Sequence, residues 1–367
     1  MHYLVIPYFI IFLLYFVFIL HKDDEIKRAG IVYFLLVAIF FFLVAMILQP
    51  LSGDTYRYSL KFDYLIGLSF AELINLSRPE FAYRLLNWLV GLVTSNFQVF
   101  IFTVFMLFIT VFYKALKNIY PSFERYYIFL AVLLYPYVLS YIVSGKRQGI
   151  ALVFMILAIS FFMQNKKLKG TLSMLMIPFF HYGSLLIFPF IAIFVLFKEK
   201  NIFKIAMTIF LSSLLSSLSG LNQFLMDEIP KYITVGSQHI AYFESDGEFA
   251  AINYRVGFRL DFALFSIFPL ILYFLFKNNI NTNDKARVLN WLSVYLLLNS
   301  IYNFLSILPF NDRFSAFSWF ILPIVCYEIL RAVNRQYAIL FSALLLFIGV
   351  ILLQFYTSKY FLPLGLV

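Results

Sequence analysis

Five polar stretches interrupt an otherwise apolar chain, and each carries at least one arginine: GDTYRY (53–58), SRPEFAYRLLN (77–87), SGKRQG (144–149), NYRVGFRLDF (253–262) and NDRF (311–314). A further interruption, HYGS (181–184), carries His181. A guanidinium forks onto phosphate oxygens two at a time, so arginines gathered on one face of a membrane suit a phosphate or pyrophosphate ligand. Charges near lipid are costly; they line a cavity, pair with one another or snorkel to the interface. For Arg147 alone an interfacial snorkelling cation is the competing reading, and the repetition of arginine on one side favours a shared anion.

Position strengthens the case for Arg147. Ser144 and Gly145 break one apolar run, and Lys146, Arg147 and Gln148 open the next. The start of a helix presents free N–H groups and a partial positive charge to an anion. Asp54, Arg57 and Tyr58 sit at the first polar stretch, where Asp54 serves equally well as a cap or turn residue. Glu80 and Arg84 are four residues apart, which fits either an intrahelical ion pair or a role in the site. His181 lies between apolar runs, where a neutral imidazole needs a partner; a structural hydrogen bond or proton transfer would supply one. Asp312 either orients a neighbouring group or pairs with Arg313 or another arginine. His239 reads as an ordinary loop residue, and Cys326 as a small hydrophobe inside an apolar run. No metal site is expected: there is no HExxH pattern, no Cys/His cluster and no close set of carboxylates.

The elements that must position these residues follow from composition. The chain has 367 residues, 63% hydrophobic, 21% aromatic and 13% charged, with a mean hydropathy of +0.90. A soluble domain carries about one-quarter charged residues, so this is a polytopic membrane protein built of helices. Apolar runs near the length of a bilayer span lie at about 3–20, 30–50, 97–113, 126–144, 148–163, 202–219, 258–276, 288–308, 314–330 and 336–355. The run 171–197 is too long for one ordinary span and is broken by Pro178 and His181-Tyr182-Gly183; it reads as a hairpin of two short helices meeting near His181. The first run lacks a basic leader and cleavage site, so it is expected to be a retained span. Together these make an all-α, single transmembrane domain over 1–367 with about twelve helices. Two long outer segments are expected, 51–96 with an amphipathic helix in FAYRLLNWLVGLV, and 220–257.

Lysines and arginines of the short loops near residues 22–28, 114–125, 166–169, 198–204, 277–287 and 331–335 fall on one side if the spans alternate. That side is the cytoplasm. It then carries the whole net charge of +10, leaving the other side balanced, so basicity reports topology and implies no nucleic acid. The arginine-bearing stretches and His181 fall on the outer side.

In that order and on that side, several short patterns resemble those of the EpsG/Wzy-type bacterial polysaccharide polymerases. They are D-x-x-R-Y (Asp54, Arg57, Tyr58), E-x-x-[YF] (Glu80, Tyr83), K-R-x-x-[IL]-A (Lys146, Arg147, Ala151), [FI]-H-x-[GS]-[SA] (His181 to Ser184) and D-R-F (Asp312 to Phe314). The resemblance runs from about 53 to 316. It implies a GT-C-like glycosyltransferase of the bacterial cytoplasmic (inner) membrane that polymerises O-antigen, capsule or exopolysaccharide repeat units carried on undecaprenyl pyrophosphate, with its active site facing the periplasm or outside. The donor and acceptor glycans and membrane lipid are then the partners, with a chain-length regulator and flippase of the same pathway as possible protein partners.

On this reading a hydroxyl of the acceptor attacks the anomeric carbon of the donor and undecaprenyl pyrophosphate departs. Arg147 and Arg313, then Arg57 and Arg259, would hold the pyrophosphate. His181 is the leading base and Asp54 the second; Glu80 and Asp312 would orient these groups. Tyr58, Arg84, Lys146 and Arg255 complete the substrate-binding set. Protein cations can neutralise the pyrophosphate, so no metal cofactor is expected. A ligase would use the same donor with another acceptor. A flippase or transporter would need polar groups along a path at mid-membrane, and a scaffold would leave the outer arginines individually replaceable.

Overall fold

The computed structural model describes residues 26–48, 53–76, 80–120, 124–228, 256–308 and 311–360. The first expected span, most of the second outer segment, Arg78 and Arg255 lie outside the described residues. Among those described every regular element is helical, as backbone in lipid requires. Four helices are long and apolar enough to cross a membrane, Phe97–Ile119, Lys146–Met163, Ile202–Ser219 and the stretch Asp312–Val333. A fifth arises if the bent pair Glu124–Leu133 and Tyr137–Val143 is one span.

In chain order the helices are α1 (Ile26–Ile47), α2 (Gly53–Ile66), α3 (Phe70–Asn75), α4 (Phe81–Gly91), α5 (Phe97–Ile119), α6 (Glu124–Leu133), α7 (Pro136–Val143), α8 (Lys146–Met163) and α9 (Lys167–Phe180). They continue as α10 (Phe188–Phe197), α11 (Ile202–Ser219), α12 (Leu221–Glu228), α13 (Leu260–Phe276), α14 (Thr282–Phe304), α15 (Asp312–Trp319), α16 (Leu322–Val333) and α17 (Arg335–Tyr360).

Local chemistry sets the boundaries. Asn96 caps α5 by accepting from the backbone N–H of Gln98 and Val99, and Ser69 with Glu72 forms a capping box on α3. The apolar run 126–144 reads as one span, yet the chain bends by 70° there. Pro136 opens α7, has no N–H to give to the preceding turn and forces the residue before it out of helical geometry. The long run 171–197 breaks as its composition predicts: α9 ends at Phe180, His181 is extended at its C-cap, and a short 3-10 turn over Tyr182–Ile187 leads into α10.

The chain divides into two compact units, residues 1–185 with 339–367, and residues 186–338. In the first, α8 is the central helix, packed between α5 and α9 and buried on all sides over its length. A helix apolar all round needs such a position. It meets α7 closely at Gly149, where a Cβ would stand 2.6 Å from the Tyr141 carbonyl oxygen. The three helices α2, α3 and α4 occupy the segment read as an outer loop, with α4 packed on α2, α5 and α9.

The second unit is organised around α14, which packs on α10, α11, α15 and α16. Arg287 of α14 grips Glu328 of α16 through two bonds, Nε to Oε2 at 2.7 Å and Nη2 to Oε1 at 2.8 Å. The Ser266 hydroxyl collects Asn299 Nδ2 and Trp319 Nε1, each at 2.9 Å, tying α13, α14 and α15 together. Small polar side chains that bond across helices are a common means of fastening helices in lipid.

Candidate active site

The start of α8 gathers residues from three separate sequence stretches. Gly145 occupies the N-cap without a side chain, so Lys146 and Arg147 lie in the first turn. Arg147 Nη1 donates to Glu80 Oε2, and its Nε points at the Tyr58 hydroxyl at 3.5 Å. The guanidinium carbon also lies 5.5 Å from the centre of the Tyr58 ring. Nε and Nη1, on different edges of the guanidinium, are thus engaged by protein while the side chain stays 34% exposed.

Glu80 reaches Arg147 from an unusual backbone. It is the N-cap of α4 at φ 70° and ψ 47°, the left-handed region that a non-glycine residue enters at a cost of about 1 kcal/mol or more. The carboxylate side chain is 9% exposed. Of the two roles open to Glu80 in the sequence, the ion pair with Arg84 is not the one formed. Arg84 is buried and donates from Nη1 to the carbonyls of Leu76 at 2.9 Å and Leu73 at 3.4 Å, closing the end of α3. It therefore supports the segment that leads into Glu80.

Lys146 points the opposite way from solvent. It is 1% exposed, donates to Thr55 Oγ1 at 3.2 Å and to the Val143 carbonyl, and lies 5.2 Å from the centre of the Tyr58 ring. Thr55 is a site residue that sequence reasoning passed over, although it adjoins Asp54 in the same polar stretch. Asp54 sits in the first turn of α2, where the helix dipole favours an acid, and accepts from Arg57 at 3.4 Å. Arg57 is otherwise turned outward, its side chain 76% exposed. Tyr58 is buried; desolvation pushes its hydroxyl above the usual phenol range, the nearby Arg147 partly offsets this, and the phenol stays protonated.

His181 ends α9, which packs against α4, and its Nδ1 shares a 2.9 Å hydrogen bond with Ser184 Oγ. In the second unit, Arg259 is the N-cap of α13, pairs with Asp261 at 3.2 Å through Nε, and lies 3.5 Å over the Phe262 ring. Its partners Asp261 and Phe262 follow it in the sequence but stand out only once the helix is formed. Asp312 begins α15 half-buried, and Arg313 beside it is exposed.

The sequence profile of the EpsG family matches residues 31–364. The chain belongs to the EpsG family. That is the Wzy-type polysaccharide polymerase family, and the apolar helices agree with a membrane protein. No curated protein and no solved structure matches the chain. The match includes both units and every described site residue from Asp54 to Arg313.

For an EpsG-family protein the first-unit cluster has a definite chemical capacity. Arg147 offers Nη2, the guanidinium nitrogen with no protein bond among the described residues, beside a buried lysine and a protonated phenol. Such a set binds a multiply charged oxyanion by charge-assisted hydrogen bonds. Because the groups are fixed by Glu80, Thr55 and Val143 before any ligand arrives, little reorganisation opposes them when charge develops on a bound phosphate.

Proposed function

We propose that this protein lengthens glycans by transferring an oligosaccharide repeat unit from undecaprenyl pyrophosphate to the hydroxyl of an acceptor unit, at the outer face of the bacterial cytoplasmic membrane. The observation that supports it most is Arg147, held by Glu80 and Tyr58 in the first turn of a central apolar helix, with Nη2 of its guanidinium left for an anion. In the transfer the bond from the anomeric carbon to the pyrophosphate breaks and negative charge collects on the departing group. Arg147 takes that charge directly. Lys146 braces the turn from behind it through Thr55 and Val143, and Arg57 of the same unit is a further cation for the donor. The framework is read as a GT-C-like bundle of about twelve spans, with the arginine-bearing stretches on the outer side because the positive-inside balance assigns the other basic residues to the cytoplasm.

The test uses the purified full-length protein in lipid and undecaprenyl-pyrophosphate-linked repeat units extracted from the membranes of the producing cell. Wild-type protein is expected to give a ladder of longer glycans, and Arg147→Ala to leave single units while remaining in the membrane at normal level. Ladders from Arg147→Ala equal to those of wild type overturn this role for Arg147. Single units from the wild-type protein under every condition overturn the polymerase reading itself.

A further inference from the structure

Two anions have a claim on one guanidinium. Glu80 already holds Arg147, yet the proposed donor brings a pyrophosphate to the same fork. A carboxylate beside a phosphate site repels the ligand, so a chain selected only to bind the donor would place a neutral acceptor there. This chain instead holds an acid in a strained left-handed backbone position, with its side chain nearly buried, to reach Arg147. Backbone strain of that kind persists only where surrounding contacts enforce it. Here they include the buried Arg84 on the carbonyls of Leu73 and Leu76 just before Glu80, and the Tyr58–Tyr83 ring contact at 5.8 Å just after it.

We infer that Glu80 is the proton acceptor of the transfer and that its ion pair with Arg147 couples deprotonation of the acceptor to departure of the leaving group. The inference rests on the polymerase reading given above. As the anomeric carbon–oxygen bond to pyrophosphate breaks, its electron pair goes to the pyrophosphate and Arg147 shifts its hydrogen bonding toward that growing charge. A carboxylate that loses its guanidinium partner becomes a stronger proton acceptor. The acceptor hydroxyl oxygen bonds to the anomeric carbon and its proton passes to Glu80. Glu80 is then neutral and no longer competes for Arg147, which holds the full charge of undecaprenyl pyrophosphate. Loss of the proton to water restores the Glu80–Arg147 pair and helps expel the product.

Arg147 from α8, Tyr58 from α2 and Tyr83 from its own helix act on Glu80; Asp54 and Lys146 flank Tyr58, and α9, packed against the same helix, carries His181 at its end. Tyr58 and Tyr83 are buried phenols held in the protonated form by desolvation, so neither takes the proton. Asp54 shares its carboxylate with Arg57.

Glu80→Gln keeps a hydrogen-bond acceptor for Arg147 and the same backbone, but cannot accept a proton. Elongation of lipid-linked repeat units by the full-length protein in nanodiscs, followed against pH, is expected to show an acidic limb in the wild-type kcat. In E80Q kcat falls by about 10²- to 10⁴-fold and that limb disappears. Binding of undecaprenyl pyrophosphate, measured separately by calorimetry, tightens in E80Q by about fivefold or more, because the competing anion is gone. The binding arm also reports that the variant is folded, and the wild-type pH profile stands independently of it. An E80Q enzyme with near wild-type kcat, or one that keeps the acidic limb, overturns the base assignment while leaving the polymerase reading standing. Unchanged or weaker pyrophosphate binding in folded E80Q overturns the exchange at Arg147. Absence of elongation by wild type removes the polymerase reading and this inference with it.

Discussion

Gly149→Ala is a one-methyl change that tests whether the geometry at the start of α8 matters to the chemistry. An added Cβ would lie 2.6 Å from the Tyr141 carbonyl oxygen and 3.2 Å from its carbon, whereas ordinary contact begins at 3.4 Å. The obstacle is backbone in α7 and cannot rotate aside. Helices α7 and α8 must therefore separate by about 0.8 Å. Overpacking of this size costs about 1–3 kcal/mol. The displaced turn also carries Lys146 and Arg147, whose contacts to Thr55, Val143, Tyr58 and Glu80 all cross to other elements or the preceding turn. A shift of nearly 1 Å in a charge-stabilising group lowers a rate by about 10²-fold.

The assay is elongation per folded molecule, with folded protein counted by size-exclusion chromatography and stability followed by thermal unfolding. Gly67→Ala is the control, because its added Cβ meets only the Tyr64 carbonyl at 3.7 Å. G149A is expected to lose both stability and rate per folded molecule, and G67A neither. Wild-type rate and stability in G149A would show that α7 and α8 adjust freely and that the position of the first turn is not critical.

Two further predictions concern the rest of the chain. Arg287→Met leaves Glu328, which is 1% exposed, without its two charge-assisted bonds and should destabilise the second unit by about 3–5 kcal/mol. Adding Glu328→Leu removes the stranded charge and should recover most of that loss, as read by thermal unfolding of the single and double variants. If Arg147 neutralises the pyrophosphate as proposed, EDTA is expected to leave elongation intact; activity lost with EDTA and restored by Mg2+ would overturn the metal-independent reading.

Much of the fold was legible in the sequence because its causes are local. An apolar run in lipid becomes a helix wherever its backbone must satisfy itself, so the runs read at 202–219 and 258–276 return as Ile202–Ser219 and Leu260–Phe276. The interruption at His181 was readable for the same reason, since the HYGS stretch is a local breaker; Pro178, also read as a break, lies inside α9, which continues to Phe180. The bend near Pro136 shows the limit of hydropathy alone: it reads a continuous apolar run and misses a missing N–H donor. Segment 51–96 carried turn and charge signals that read as a loop with one helix, whereas α2, α3 and α4 all form and pack there.

The candidate site divides along the same line. Composition, charge balance and residue type were enough to mark Asp54, Tyr58, Glu80, Lys146 and Arg147 as residues needing an explanation beyond topology. Their partners were a matter of tertiary structure. Spacing along one helix offers Glu80 the nearby Arg84, but the left-handed turn at Glu80 sends its carboxylate to Arg147, 67 positions away in sequence. Two adjacent cations separate into a buried lysine fastened to Thr55 and a part-exposed arginine whose Nη2 has no protein bond among the described residues, because successive residues of a helix face different directions. The sequence determined that these charges sit at the boundary of apolar helices; packing alone decided which partner each one meets.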